Sequence, residues 1–184
     1  MEEEKVDLKS KIARFFLYFV MYALIGWIYE VFLEVVVYRW GFSNRGVLFG
    51  PYCPVYGFGA LAFIFTVYPM IKNKKGNKKW VLSPVVFLLC MLIATAIELV
   101  TSYICEFFMG SWPWQTYAKY AINFEARIAL SPSIRFGLGG VVFLYLVQPL
   151  FEKIVAKLGI KKVNVIACAV AIILLVDCIY TFVF

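Results

Sequence analysis

Five carboxylates, Glu30, Glu34, Glu98, Glu106 and Asp177, stand in stretches otherwise made of Leu, Ile, Val and Phe. A charge within a bilayer is costly, so such groups turn toward the interior of a bundle and find partners there. Glu34 follows Glu30 by one helical turn, and Ser102 lies between Glu98 and Glu106, so each pair marks one polar face of a helix. Arg45, Arg127 and Arg135 are placed to meet these acids, with Asn44, Asn123 and Tyr103 as hydrogen-bonding neighbours. Crowded carboxylates of this kind suit proton coupling, a cation site or general acid–base chemistry, while arginines beside them can hold an anionic group. The same charges could also serve only to fix helix register through buried pairs.

Positioning these side chains requires a membrane. A mean hydropathy of +0.85, with 64% hydrophobic and 16% charged residues, leaves too little polar surface to cover a water-soluble core. Five apolar stretches, at about 12–38, 54–71, 81–109, 131–150 and 163–184, are long enough to cross ~30 Å of hydrocarbon as helices of ~20 residues. The expected fold is therefore an all-α polytopic membrane helix bundle. Residues 1–184 are expected to form a single integral membrane domain whose first apolar run, too long for a leader, stays attached as an anchor. Counted from Phe15, Val81 and Val163 at the inner boundary, Glu30, Glu98 and Asp177 fall at roughly 22, 25 and 21 Å at ~1.5 Å per residue, a common level two thirds of the way across.

Thirteen of the eighteen basic residues, among them Lys5, Lys9, Lys11, Arg14, the run Lys72–Lys79 and the group Lys153–Lys162, fall on one side of this topology. The positive-inside rule then puts the N-terminus in the cytoplasm and the C-terminus outside the plasma membrane. Two outer connections stand apart from ordinary loops. Gly50, Pro51, Tyr52 and Pro54 interrupt an apolar run after the first span, which predicts a re-entrant hairpin able to act as a gate. Trp112, Trp114, Tyr117 and Tyr120 read as an aromatic belt on a short interfacial helix that caps the bundle.

Several chemistries are excluded. With no histidine there is no His-based triad and no histidine zinc site, and no metal or cofactor is expected. The basic residues form no stripe, so nucleic acid is not a partner. Cys53, Cys90, Cys105, Cys168 and Cys178 lack a C-x-x-C pair and read as packing residues. Gly57, Gly59, Gly137, Gly139 and Gly140 offer small surfaces for close helix contact. A Walker-type phosphate loop is absent, so energy from ATP would have to come through a separate subunit.

Three sets of residues resemble one family. They are Gly26-Trp-Ile-Tyr-Glu30, the run Asn44-Arg-Gly-Val-Leu-Phe-Gly-Pro-Tyr-Cys-Pro-Val-Tyr-Gly57, and Glu98 with Thr101-Ser-Tyr103 and Glu106. Together with Trp112, Trp114, Tyr117, Asn123, Arg127-Ile128 and Asp177, they are similar to the putative ABC-transporter type IV membrane proteins, a bacterial family of permease-like proteins. There are two departures. The family's Trp-Trp-Asp-Tyr group is here Trp112-Pro-Trp-Gln-Thr-Tyr117, without the acid, and the glycine before the matching arginine is Ala126. If that aspartate binds substrate in the family, selectivity would differ here.

The resemblance implies transport. The leading expectation is a permease or transporter subunit that handles a small polar or charged solute through an outward-facing chamber. Its lining would be Glu30, Glu34, Asn44, Arg45, Glu98, Ser102, Tyr103, Glu106, Asn123, Arg127 and Asp177. Five short spans make a thin transporter, so a homodimer or an ATPase subunit is the expected partner. An intramembrane enzyme acting on lipid or a lipid-linked group at the outer leaflet is the alternative, and a structural or regulatory subunit is a third.

Overall fold

The computed structural model describes residues 7–183. Lys5, one of the charges used to orient the chain, and Phe184, the end of the fifth predicted stretch, lie outside them. Helix α1 (Leu8–Phe32) runs on through a π-helical turn, Leu33–Val37. After an irregular connection come α2 (Pro54–Thr66), α3 (Tyr68–Lys72), α4 (Asn77–Trp80) and the long α5 (Ser83–Met109). A small two-stranded ribbon, β1 (Asn123–Phe124) and β2 (Ile128–Ala129), leads into α6 (Leu130–Val142), which passes through a second π turn, Phe143–Val147, into α7 (Gln148–Leu158). The chain ends in α8 (Ile160–Val183).

Four continuous helical stretches are long and apolar enough to cross a membrane among the described residues: Leu8–Val37, Asn77–Met109, Leu130–Leu158 and Ile160–Val183. The all-α polytopic class is as expected, but the second of the five predicted stretches is not one helix. It breaks at Val67 into α2 and α3. Pro69 is the reason: without an N–H it cannot bond the carbonyl one turn back, and its ring crowds the preceding turn.

The chain divides into two compact units, Met1–Phe58 with Leu150–Phe184 and Gly59–Pro149. In the first, α1 packs along α8. Asn164 Nδ2 donates to Ser10 Oγ at 3.1 Å near the start of both helices, and Leu174 packs near Ala23 further along. The two helices therefore run in the same direction. Pro54–Phe58 packs closely on α1, because a Cβ on Gly26 would fall on the Tyr56 ring and one on Gly57 within 2.5 Å of Phe19. In the second unit α5 and α6 are antiparallel neighbours, tied by a 2.7 Å bond from Thr95 Oγ1 to Ser133 Oγ. Gly137 meets Phe87 there and Gly140 meets Cys90, whereas Gly59 and Gly139 face open space.

Most of α8 stays uncovered, with Ile172, Ile173, Leu175, Val176 and Phe182 all exposed. Apolar side chains that would be a liability in water are the expected lipid-facing surface of a spanning helix.

Candidate functional site

In the first unit the polar residues gather around the connection 38–53. Past the π turn the chain doubles back, and the Cys53 N–H reaches the Ala23 carbonyl at 3.0 Å. Ala23 lies some 14 positions before Val37, so the connection descends roughly 21 Å along α1 at ~1.5 Å per residue. Leu48 and Tyr52 bury themselves against Ala23, with Leu174 and Cys178 packed beside them. The predicted Gly/Pro hairpin is thus an irregular segment lying along the helices.

Each of its polar neighbours fastens a different point. Asn44 accepts from Trp27 Nε1 at 2.7 Å through Oδ1, and through Nδ2 donates to the carbonyls of Leu48 at 3.2 Å and Phe49 at 2.8 Å. Arg45 grips Glu34 with two parallel bonds, Nε to Oε2 at 2.9 Å and Nη2 to Oε1 at 2.7 Å. Ser43 adds its N–H at 3.2 Å and its hydroxyl at 2.7 Å to the same carboxylate, which is buried. Asp177 of α8 accepts the N–H groups of Phe49 (3.0 Å) and Gly50 (2.8 Å), the Tyr52 hydroxyl, and Thr181 Oγ1 at 3.0 Å. Burial first, and then the hydrogen bond to Asp177, push the Tyr52 phenol well above its ordinary pKa, so it stays a donor.

Glu30 is different. It accepts the Tyr56 hydroxyl through Oε1, its one hydrogen bond among the described residues. An open groove lined by Gly46, Val47, Leu48, Phe49, Tyr180 and Thr181 adjoins the hairpin.

The second unit builds its own cluster around Arg127. The turn Phe124–Arg127 closes with a 2.9 Å bond from the Arg127 N–H to the Phe124 carbonyl, and its central residues Glu125 and Ala126 have φ of 50° and 55°. Both sit in the left-handed region that an I′-type turn demands. Asn123 steadies the turn by accepting the Ala126 N–H at 3.1 Å and donating to the Tyr120 carbonyl at 2.8 Å. It thereby holds the loop in shape.

From that turn the Arg127 guanidinium enters a slot between the rings of Tyr103 and Trp112, each 4.1 Å away. Its Nη2 bonds Glu106 at 2.6 Å, Nη1 reaches Ser102 Oγ at 3.4 Å, and Nε reaches Glu125 at 3.4 Å. Burial alone would lower its pKa, but the Glu106 hydrogen bond and charge outweigh that and hold it above the usual arginine value. Glu98, also buried, accepts the Tyr117 hydroxyl at 2.6 Å, and Arg135 Nη2 donates to the Tyr120 hydroxyl at 2.7 Å.

The sequence predicts an interfacial belt on a short helix for the tryptophans. Only Gln115–Lys119 is helical, as one 3₁₀ turn, and both indoles point to the ribbon: Trp112 Nε1 donates to the Ala126 carbonyl at 3.0 Å and Trp114 Nε1 to that of Arg127 at 2.8 Å. Sequence reasoning also passed over Ser43, Tyr56, Glu125 and Thr181, all of which touch a predicted site residue. Among the described residues no group of three or more acids and cysteines could hold a metal ion.

A family model described as Putative ABC-transporter type IV matches residues 17–182. No curated protein and no solved structure matches the chain.

Proposed function

Because the chain belongs to the Putative ABC-transporter type IV family, we propose that it is a membrane permease or transporter subunit that handles a small polar or charged solute. It is a multi-pass membrane protein of a transporter-type family. In this reading residues 1–184 act as one integral membrane domain, with the N-terminus cytoplasmic, the C-terminus outside, and a second copy or a separate ATPase subunit as partner.

The observation that carries the reading is Glu30, a half-buried carboxylate with one oxygen on Tyr56 and the other open, next to a loop latched by Asp177. A carboxylate with spare acceptor capacity beside a releasable segment is what a proton or cation site needs. Glu30 then receives the cation or proton, with Glu98 in the same role in the second unit. Asp177 ties solute state to hairpin state, and the Gly50, Pro51, Tyr52 and Pro54 hairpin gates. Arg45 and Arg127 lock their acids or hold an anionic group, with Asn44 and Asn123 keeping the two loops in shape.

One observation favours a second reading, a structural subunit. Arg127 is enclosed by two rings and two carboxylates, as expected of a group fixed for architecture. The two readings separate in cells producing the wild-type chain, Glu30→Gln or Glu98→Gln, scored for uptake of rubidium ion, mixed amino acids and inorganic phosphate and for lipid composition. Transport predicts that uptake of at least one probe falls in Glu30→Gln. Unchanged uptake and lipids in both variants would leave the structural reading, and a change in lipids alone would indicate an intramembrane enzyme.

A further inference from the structure

Away from the acid clusters, at the end of the first unit where α1 and α8 begin, Ser10, Arg14, Val155, Ala156, Gly159, Ile160 and Val163 line a cavity of about 60 Å³. We propose that this cavity holds the phosphate group of an anionic lipid headgroup, bound by Arg14 and Ser10.

Arg14 is half-buried and makes no hydrogen bond or ion pair with any described residue. Glu152 acts on the same neighbour, Tyr18, without pairing with Arg14, so the guanidinium keeps its donors free, and its planar fork matches a phosphate oxygen pair. Ser10 is buried, and its Oγ accepts from Asn164, which leaves its own O–H available to donate. The same Asn164 keeps Oδ1 buried without a hydrogen-bond partner, an acceptor placed for a headgroup hydroxyl. Lys9, Lys11, Lys157, Lys161 and Lys162 are exposed around this end and raise the local concentration of anions.

The remaining lining is apolar, and exposed Ile12, Val165 and Ile166 continue that surface along the helices. A free anion gains nothing from such a surface, whereas a phospholipid continues from its phosphate into acyl chains that cover it. Both helices are spans, so their first turns lie at headgroup depth. The site does not depend on the transport reading.

The test uses the full chain in detergent micelles with phosphatidylglycerol or phosphatidylcholine added, and bound lipid counted by native mass spectrometry. Wild-type protein should retain phosphatidylglycerol several-fold over phosphatidylcholine. Arg14→Gln should lose that preference, while Lys74→Gln with Lys75→Gln, in an equally basic segment elsewhere, should keep it. Should Arg14→Gln not fold, Lys161→Gln with Lys162→Gln carries the same expectation in weaker form. An undiminished preference in the Arg14 or Lys161/Lys162 variants, or an equal loss in the Lys74/Lys75 variant, overturns the site. Displacement of the lipid by millimolar inorganic phosphate would assign it to the free ion instead.

Discussion

Asp177 and Gly50, 127 positions apart in sequence, are joined by a 2.8 Å hydrogen bond from the glycine N–H to the carboxylate. With Phe49, Tyr52 and Thr181 donating to the same group, one side chain of the last helix fixes the tip of a loop that follows the first.

Replacing Asp177 by Asn should loosen that tip. The amide has one acceptor oxygen, and its NH₂ would confront the loop N–H groups, so we expect a loss of roughly 1.5–3 kcal/mol, the range for hydrogen bonds to a charged group. Faster hydrogen exchange at Phe49 and Gly50, with α5 and α6 unaffected, is the outcome to look for. Unchanged protection at both amides would rule out the latch.

Gly140→Ala and Gly139→Ala make a matched pair. A Cβ at Gly140 would fall 2.5 Å from Cys90 Cβ, whereas at Gly139 it meets nothing within 4 Å. Overpacking should cost the first variant about 1–3 kcal/mol. The second should be neutral or gain up to ~1 kcal/mol from helix propensity. Thermal unfolding in micelles ranks them, and equal melting temperatures would contradict the close contact of α5 and α6.

Ala126→Gly should stabilise the ribbon. Alanine at φ 55° bears the strain of the left-handed region, about 1–2 kcal/mol, part of which glycine returns to the flexibility of the unfolded chain. A net gain of roughly 0.5–1 kcal/mol in denaturant unfolding is expected. Destabilisation would mean that the methyl group makes a packing contribution larger than the strain.

Arg127→Lys and Glu106→Gln should be strongly non-additive. Lysine cannot fill the planar slot between Tyr103 and Trp112 while also reaching Glu106 and Ser102. Arg127→Lys should therefore destabilise more than Glu106→Gln and alter Trp112 fluorescence, and the double variant should be little worse than Arg127→Lys alone. Additive losses would show that ring and carboxylate act independently.

Much of this was legible in the sequence, at the level of which residues matter. Glu34, Arg45, Asn44, Asp177, Glu106 and Arg127 stand out as polar groups in apolar surroundings, and each has a specific partner. The partners were harder to see. The contact of Asp177 with two loop N–H groups leaves no periodic trace across 127 positions, and an indole at a membrane interface has the same composition as one stacked on a guanidinium. The ribbon escaped notice because its turn uses Glu125 and Ala126, not the Asn-Gly pair that announces such turns. Pro69 was visible, but hydropathy alone carried the second span through it.

The π turn at Leu33–Val37 gives Glu34 its address. A π turn holds one residue more than an α turn, so the helix reaches Tyr38 with its side chains advanced by one place. Deleting a single residue there would restore ordinary winding and swing the following chain around the axis. Ser43 and Arg45 would then arrive at a different face from the carboxylate they enclose, so the length of this segment, as much as its composition, is under constraint.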